Sequence, residues 1–317
     1  MIGVFSNGKF LKLEDVRDYF SKNIDRDWKI YEDFDSLYKD RDKIEILVNS
    51  MGLGEDKIKD FKNLKWVFSY SAGVDSYPLE AFKDMKVKLT NVSGVHAKNI
   101  SEQVLGVMIM FSRNLIQAMM NKEEKTYRKY ETSELFGKSL LIVGMGAIGK
   151  ELARRAKAFD MKIVGVRNHL DGKSHPYFDQ IFVSSDLKDH IGSFDYIVSI
   201  LPSTDKTRRI FDYKMFELMD EASIFINVGR GDAVVEEDLL KALEENKLKG
   251  AYLDVFNKEP LDEKSQLWDM DNVFITPHIA GTTPFYFERA MELFEKNLNE
   301  FENGEKMTNL ISYEDKY

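Results

Sequence analysis

Three short segments of this chain carry residues able to hold a small carboxylate and move a proton. The run INVGRGDAVVEEDLLKAL places Arg230 directly after an apolar stretch, YLDVFNKEP places Glu259 just beyond another, and VFITPHIAG does the same for His278. A guanidinium takes a carboxylate through paired, charge-assisted hydrogen bonds. An imidazole gives a proton to a carbonyl oxygen or takes one from a hydroxyl, and a carboxylate beside it orients the ring and favours its protonated form. These roles suit a 2-oxo acid. Arg230 would hold the carboxylate and polarise the adjacent carbonyl, His278 would donate a proton to the carbonyl oxygen as hydride arrives, and Glu259 would orient the imidazole. In the reverse direction His278 is the base. The reading requires the three residues to converge, since a single histidine beside Pro277 is equally at home in a turn.

The hydride would come from a cofactor bound at KSLLIVGMGAIGKELARRAKAF, residues 138–159. Gly144, Gly146 and Gly149 form G-x-G-x-x-G between an apolar strand and a helix. The first glycine makes the tight turn, the second admits a pyrophosphate, and the third lets helix and strand pack closely. The start of the helix, Ala147 and Ile148 included, offers backbone N–H groups and a positive dipole end to phosphate. Flavin and adenosyl-methionine binders share such turns, so the glycines alone leave those cofactors open. The next strand ends at Val166 and is followed by Arg167, Asn168 and His169. An NAD site expects an acidic residue there for the ribose hydroxyls. Arginine instead suits a 2′-phosphate, which predicts a preference for NADP(H). A solvent-facing strand-end arginine with NAD bound is the alternative, and His169 fits either phosphate contact or a surface role.

Positioning these residues calls for a sheet. Apolar runs at 139–143, 162–166, 180–183, 196–200, 223–228, 251–255 and 273–276 alternate with helical segments, the pattern of a mostly parallel sheet covered on both faces. In such sheets ligands gather beyond the carboxyl ends of the strands, where Arg230, Glu259 and His278 all fall. A first α/β series has strands near 2–5, 44–48, 66–70 and 87–89, with helix near 13–23 and 55–61. From Ile100 the run ISEQVLGVMIMFSRNLIQAMM reads as one long helix, apolar on several faces, suited to a core, a crossing between domains or a second subunit. The polar residues 122–133 read as its exposed end or a connector. One domain is therefore expected at 100–281 and a discontinuous one at 1–99 with 282–317.

The totals set limits. A chain of 317 residues with 43% apolar and 31% charged residues has material for two cores. Its net charge of −9 argues against a general nucleic-acid partner. No cysteine is present, which excludes disulfides, a thiol nucleophile and thiolate metal sites. The start of the chain has no signal-peptide pattern, and the apolar run 104–111 is too short for a membrane span, so a cytoplasmic protein is expected. The five histidines lack zinc-site spacing and no metal is expected. His96 reads as a local hydrogen-bonding residue with a minor claim to cofactor or substrate contact, and His175 and His190 have no supporting constellation.

The ordered set SAGVD at 71–75, NVSGVHAKNISEQVLGVMIMFSRN at 91–114, ELFGKSLLIVGMGAIG at 134–149, LPSTDKT at 201–207, then NVGRG, LDVFNKEP and TPHIAG resembles the D-isomer-specific 2-hydroxyacid dehydrogenase family over nearly the whole chain. Arg167 resembles its NADP(H)-preferring glyoxylate/hydroxypyruvate reductase-like branch. The resemblance implies an α/β protein of two Rossmann-like domains, a flavodoxin-like substrate domain and a doubly wound nucleotide-binding domain. It implies Arg230 on the carboxylate, Glu259 as partner of His278, Ala72 and Gly73 offering backbone N–H groups to substrate, and Pro202, Thr207, Val228 and Asp254 along the cofactor. Asp254 would face the nicotinamide carboxamide or make a strand-end hydrogen bond. It further implies hydride transfer between nicotinamide C4 and substrate C2, a D product, and a homodimer using the helix after Ile100. Tyr70, Trp268, Phe285, Tyr286 and Phe287 would shape a substrate pocket or simply pack. Phosphonate or formate dehydrogenases, an NAD-dependent member, and a dinucleotide-sensing interaction protein are the competing functions.

Overall fold

The computed structural model describes residues 1–9, 11–50, 53–74, 76–170, 172 and 175–313. Asp75, which closes the SAGVD motif, lies outside them. The chain forms two compact units, Met1–Val95 with Pro284–Tyr317, and His96–Thr283. Among the described residues no helix is long and apolar enough to cross a membrane.

The first unit is built on five parallel strands, β1 (Ile2–Phe5), β2 (Trp28–Tyr31), β3 (Ile46–Asn49), β4 (Trp66–Ser69) and β5 (Lys88–Thr90), in the order β2-β1-β3-β4-β5. That is the flavodoxin-like order. β1, β3 and β4 are buried at every position, as strands covered on both faces must be. β2 was not expected from the sequence. It is an edge strand, WKIY, with Lys29 exposed and only Tyr31 fully buried, so it lacks the continuous apolar run of its neighbours. The C-terminal helix Tyr286–Glu302 joins this unit because its apolar face is aromatic-matched: Phe294 stacks on Trp66 at 5.4 Å and on Phe20 at 5.5 Å.

The second unit carries seven parallel strands, β6 (Ser139–Val143), β7 (Lys162–Arg167), β8 (Gln180–Val183), β9 (Tyr196–Ser199), β10 (Ile224–Asn227), β11 (Gly250–Leu253) and β12 (Val273–Ile275), ordered β12-β11-β10-β9-β6-β7-β8. Period-two alternation splits every strand but β8 between two cores. Leu141, Val143, Phe225 and Leu253 enter one, while Leu140, Ile142, Ile226 and Tyr252 enter the other. Each such large side chain contributes about 1.5–3 kcal/mol of burial.

The single helix expected from Ile100 is two: Ala97–Ser112 and Leu115–Glu123. Asn114 takes a left-handed conformation, φ 52°, and ends the first helix, with its N–H donated to Phe111 O at 3.2 Å. Asparagine tolerates that region better than most residues. Ile100, Val104, Leu105, Val107 and Met108 are buried, and the helix packs along Ala147–Ala156.

Candidate active site

Strand order reverses between β6 and β9, which opens a crevice at the carboxyl ends of these strands. The glycine turn sits there. Gly144 has φ +115°, and a Cβ on it would lie 2.6 Å from Ile200 O on the neighbouring strand's continuation. A Cβ on Gly149 would come within 2.3 Å of Gly144 O, so the helix meets the turn only as glycine. At Gly146 a Cβ would meet no described atom within 4 Å. The open side of the turn is thus at Gly146, the N-cap of the helix Ala147–Ala156, where the first-turn N–H groups of Ala147 and Ile148 have no partner one turn back. That arrangement fits a pyrophosphate.

Beyond β10, β11 and β12 lie the residues expected to hold a carboxylate and move a proton. Asn227, the last residue of β10, accepts from Gly229 N at 3.2 Å and donates to Arg230 O at 3.0 Å, which shapes the turn that exposes Arg230. Arg230 Nη1 donates to Gly229 O at 2.9 Å. Gly231 passes so close to the next loop that a Cβ would lie 2.0 Å from Phe256 C. That approach brings the Arg230 turn to the segment leading to Glu259. Glu259 Oε2 pairs with His278 Nδ1 at 2.7 Å and Oε1 accepts from Phe256 N at 3.1 Å. Partial burial pushes the Glu259 carboxyl up. The His278 hydrogen bond, the Phe256 N–H and the charges of His278 and Arg230 outweigh it and hold the group below its ordinary value. With Nδ1 engaged, Nε2 is the nitrogen left to exchange a proton. His278 itself has φ +54°, a conformation that costs a non-glycine residue about 1–2 kcal/mol and needs support from its surroundings.

Residues 105–280 match the family described as D-isomer specific 2-hydroxyacid dehydrogenase, NAD binding domain. The chain belongs to this family. It is an NAD(P)-dependent oxidoreductase that interconverts 2-oxo and 2-hydroxy acids by hydride transfer. A hydroxypyruvate reductase of Thermotoga maritima is 32% identical over 273 residues, 84% of this chain and 88% of that protein. A glyoxylate reductase of Thermococcus onnurineus is 31% identical over 79% of this chain and 77% of its own length. Among solved structures, an NADPH-dependent glyoxylate/hydroxypyruvate reductase of Sinorhizobium meliloti, in complex with NADP and sulfate, superposes with TM-score 0.80 at 28% identity, covering 100% of this chain and 99% of that one.

The dehydrogenase places its other expected site residues as follows. Arg167 ends β7, with Nη1 3.1 Å from His175 Nε2, and Asn168 Oδ1 accepts from Ser184 Oγ at 3.1 Å. Thr207 Oγ1 donates to Pro202 O at 2.6 Å, closing their loop on itself, and Val228, two residues before Arg230, is buried. Asp254 shows the strand-end hydrogen bonds: its carboxylate, 2% exposed, accepts from Thr276 and from the N–H groups of Ile279 and Ala280. His96 and Asn99 bond to Gly281 O and Ala280 O, both at 2.8 Å, so the hydrogen bond expected of His96 is made, but to a segment 185 residues away rather than locally. In the first unit, Asn91 Nδ2 donates to Ala72 O at 2.6 Å and fixes the loop carrying Ala72 and Gly73. Tyr70 and Tyr286 pack on each other at 5.0 Å, Phe287 packs on Tyr19, and Trp268 donates to Asp262 O at 3.1 Å.

Two residues emerge that sequence reasoning passed over. His175, read as isolated, meets Arg167 because the turn it begins is anchored on β7: Phe178 N donates to His175 O, and Asp179 accepts from Ile163 N. Asp232 accepts from Ser203 Oγ and from Arg208 Nε at 3.2 Å, and its carbonyl takes Arg209 N, so it ties the 202–209 loop to the Arg230 turn. Its nearness in sequence to Arg230 is the one signal that pointed there.

Proposed function

We propose that this dehydrogenase is an NADP(H)-preferring reductase of small 2-oxo acids, yielding D-2-hydroxy acids and working as a homodimer. The observation that carries the reading is the 2.7 Å Glu259–His278 pair, with Arg230 close enough for its charge to act on Glu259. Bound nicotinamide supplies the hydride. Arg230 holds the substrate carboxylate and draws electron density from the neighbouring carbonyl, and Ala72 and Gly73 offer N–H groups to the same kind of anion. As hydride joins C2, the carbonyl oxygen takes a proton from His278 Nε2 and becomes the hydroxyl. Glu259 keeps the imidazole in the orientation and charge state this requires. In the oxidative direction the same nitrogen receives the proton.

Arg167 supports NADP(H). A strand-end guanidinium makes paired contacts with a 2′-phosphate, where an acidic residue would repel it. The NADP bound by the Sinorhizobium meliloti relative supports the same choice. The names of the Thermotoga and Thermococcus relatives favour glyoxylate and hydroxypyruvate as substrates. The homodimer would use the exposed side of Ala97–Ser112, which carries Gly106 and the half-exposed Ile109 and Met110.

An initial-rate matrix tests the proposal: NADH or NADPH against glyoxylate, hydroxypyruvate, pyruvate, phenylpyruvate and 2-oxoisocaproate. NADPH with one of the two small acids should give the highest kcat/KM. Faster turnover with NADH would overturn the cofactor assignment. Cofactor binding with no turnover of any oxo acid would overturn the enzyme reading in favour of a dinucleotide-sensing protein.

A further inference from the structure

A line of side-chain hydrogen bonds runs from the surface of helix Ala97–Ser112 to the backbone of the catalytic histidine. Gln103 Nε2 lies 3.1 Å from Tyr252 Oη, Tyr252 Oη lies 2.7 Å from Thr276 Oγ1, and Thr276 Oγ1 lies 2.5 Å from Asp254 Oδ1. Chemistry fixes the direction of each bond. A carboxylate only accepts, so the Thr276 hydroxyl donates to Asp254. Its lone pair must then take the Tyr252 hydroxyl proton, and Tyr252 in turn accepts from the Gln103 amide. Burial holds the Tyr252 hydroxyl above its ordinary value, which keeps the proton this order requires.

The line ends where the active site needs support. Asp254 accepts from Ile279 N at 2.9 Å and Ala280 N at 3.0 Å, the two residues after His278, while Asp254 O takes His278 N at 2.8 Å. These bonds clamp the backbone on both sides of a histidine held at φ +54°. Tyr252 and Asp254 lie on one face of β11 and its continuation, and Thr276 follows β12 on the matching face. The register Leu253↔Ile275 puts them side by side. Tyr252 is 0%, Asp254 2% and Thr276 8% exposed, so the bonds operate out of water, where a polarised series is strengthened and a missing member is costly.

We propose that Thr276 and Tyr252 are positioning residues for the proton-transfer step, holding His278 in its strained conformation through Asp254. Gln103 is the outer end of the line and borders a surface cavity of about 480 Å³ that Ile279 and Ala280 also line. The inference rests on His278 being the acid–base residue.

The test compares Thr276→Val, Thr276→Ser, Tyr252→Phe and the double variant Tyr252→Phe/Thr276→Val. Thr276→Val removes the donor to Asp254 at nearly constant volume and should lower kcat about tenfold, the scale of a hydrogen bond to a charged group. Thr276→Ser keeps the hydroxyl and should stay within about twofold of the parent. Tyr252→Phe keeps the ring stacked on Phe274, 5.6 Å away, and should lower kcat about threefold. NADPH affinity, read by fluorescence titration, should be unchanged in all four. The double variant should be no slower than Thr276→Val, because both changes act along one path. Equal loss in Thr276→Val and Thr276→Ser, multiplying effects in the double variant, or parent-like kcat in Tyr252→Phe would overturn the proposal. The Ser and Phe variants decide it even where the Val variant does not fold. A fully inactive His278→Gln with the Thr276 and Tyr252 variants unaffected would sink this inference and leave the functional reading standing; an active His278→Gln would sink that reading itself.

Discussion

An imidazole is only as good an acid as the group behind it allows. His278 meets Glu259 with one nitrogen at 2.7 Å, and in the proposed mechanism it faces the substrate with the other. Glu259 stays ionised until pH falls through its lowered value, so over the neutral range it favours the imidazolium. Glu259→Gln keeps the shape and removes the charge. Reduction of a 2-oxo acid needs the protonated ring, so in the variant the reductive rate should decline at lower pH on the alkaline side. The oxidative rate, which needs the neutral ring, should extend to lower pH, and kcat should fall at least about tenfold. A pH–rate profile for both directions checks this, and coincident profiles for parent and variant would remove Glu259 from the proton chemistry. Arg230, Glu259 and His278 stand out in the sequence because charged and titratable side chains at strand ends have few other reasons to recur there. The groups that hold them are hidden, because Asn227, Asp232 and Thr276 act through backbone atoms and partners far away in sequence.

At the scale of elements, the turns between strands do the aligning. The Arg230 turn reaches the Glu259 segment only because Gly231 has no side chain, with a Cβ there 2.0 Å from Phe256 C and 2.1 Å from its oxygen. Backbone cannot yield as a flexible side chain does. Gly231→Ala should cost about 1–3 kcal/mol of stability and should raise the KM for the oxo acid by displacing Arg230. Thermal unfolding and steady-state kinetics read the two effects, and a variant with parent melting temperature and KM would show that the loops are not in contact as described. The same scale explains what the sequence revealed of the fold. The central strands β6, β9, β10 and β11 of the second unit were legible because they are continuous apolar runs buried on both faces, while the edge strands β8 and β12 are only partly buried yet keep short apolar runs. β2 was not, since an edge strand with exposed Lys29 resembles a loop. The break at Asn114 was not, because apolar residues continue across it and only the backbone angle marks the end of the helix.

For the whole molecule the proposed homodimer turns on the outer side of helix Ala97–Ser112. Gly106 lies exposed in the middle of that helix, and a Cβ there would touch no described atom within 4 Å. A helix-interior glycine costs about 0.5–1 kcal/mol relative to alanine, and nothing within this unit calls for it. Close approach of a second subunit in the proposed homodimer would. Ile109 and Met110 flank it, and Leu115 and Met119 on the following helix are 44% and 65% exposed, an apolar set suited to a partner. In a two-fold dimer each patch meets its own copy, so one substitution enters the interface twice. Gly106→Arg should fit the isolated chain without strain, since the position is open, yet set two guanidinium groups and their bulk against each other between subunits. Sedimentation velocity should show the parent as a dimer and the variant as a monomer at the same concentration, with helical content by circular dichroism unchanged. A parent that sediments as a monomer, or a variant that remains dimeric, would mean that this face is not the subunit contact and that the glycine has another cause.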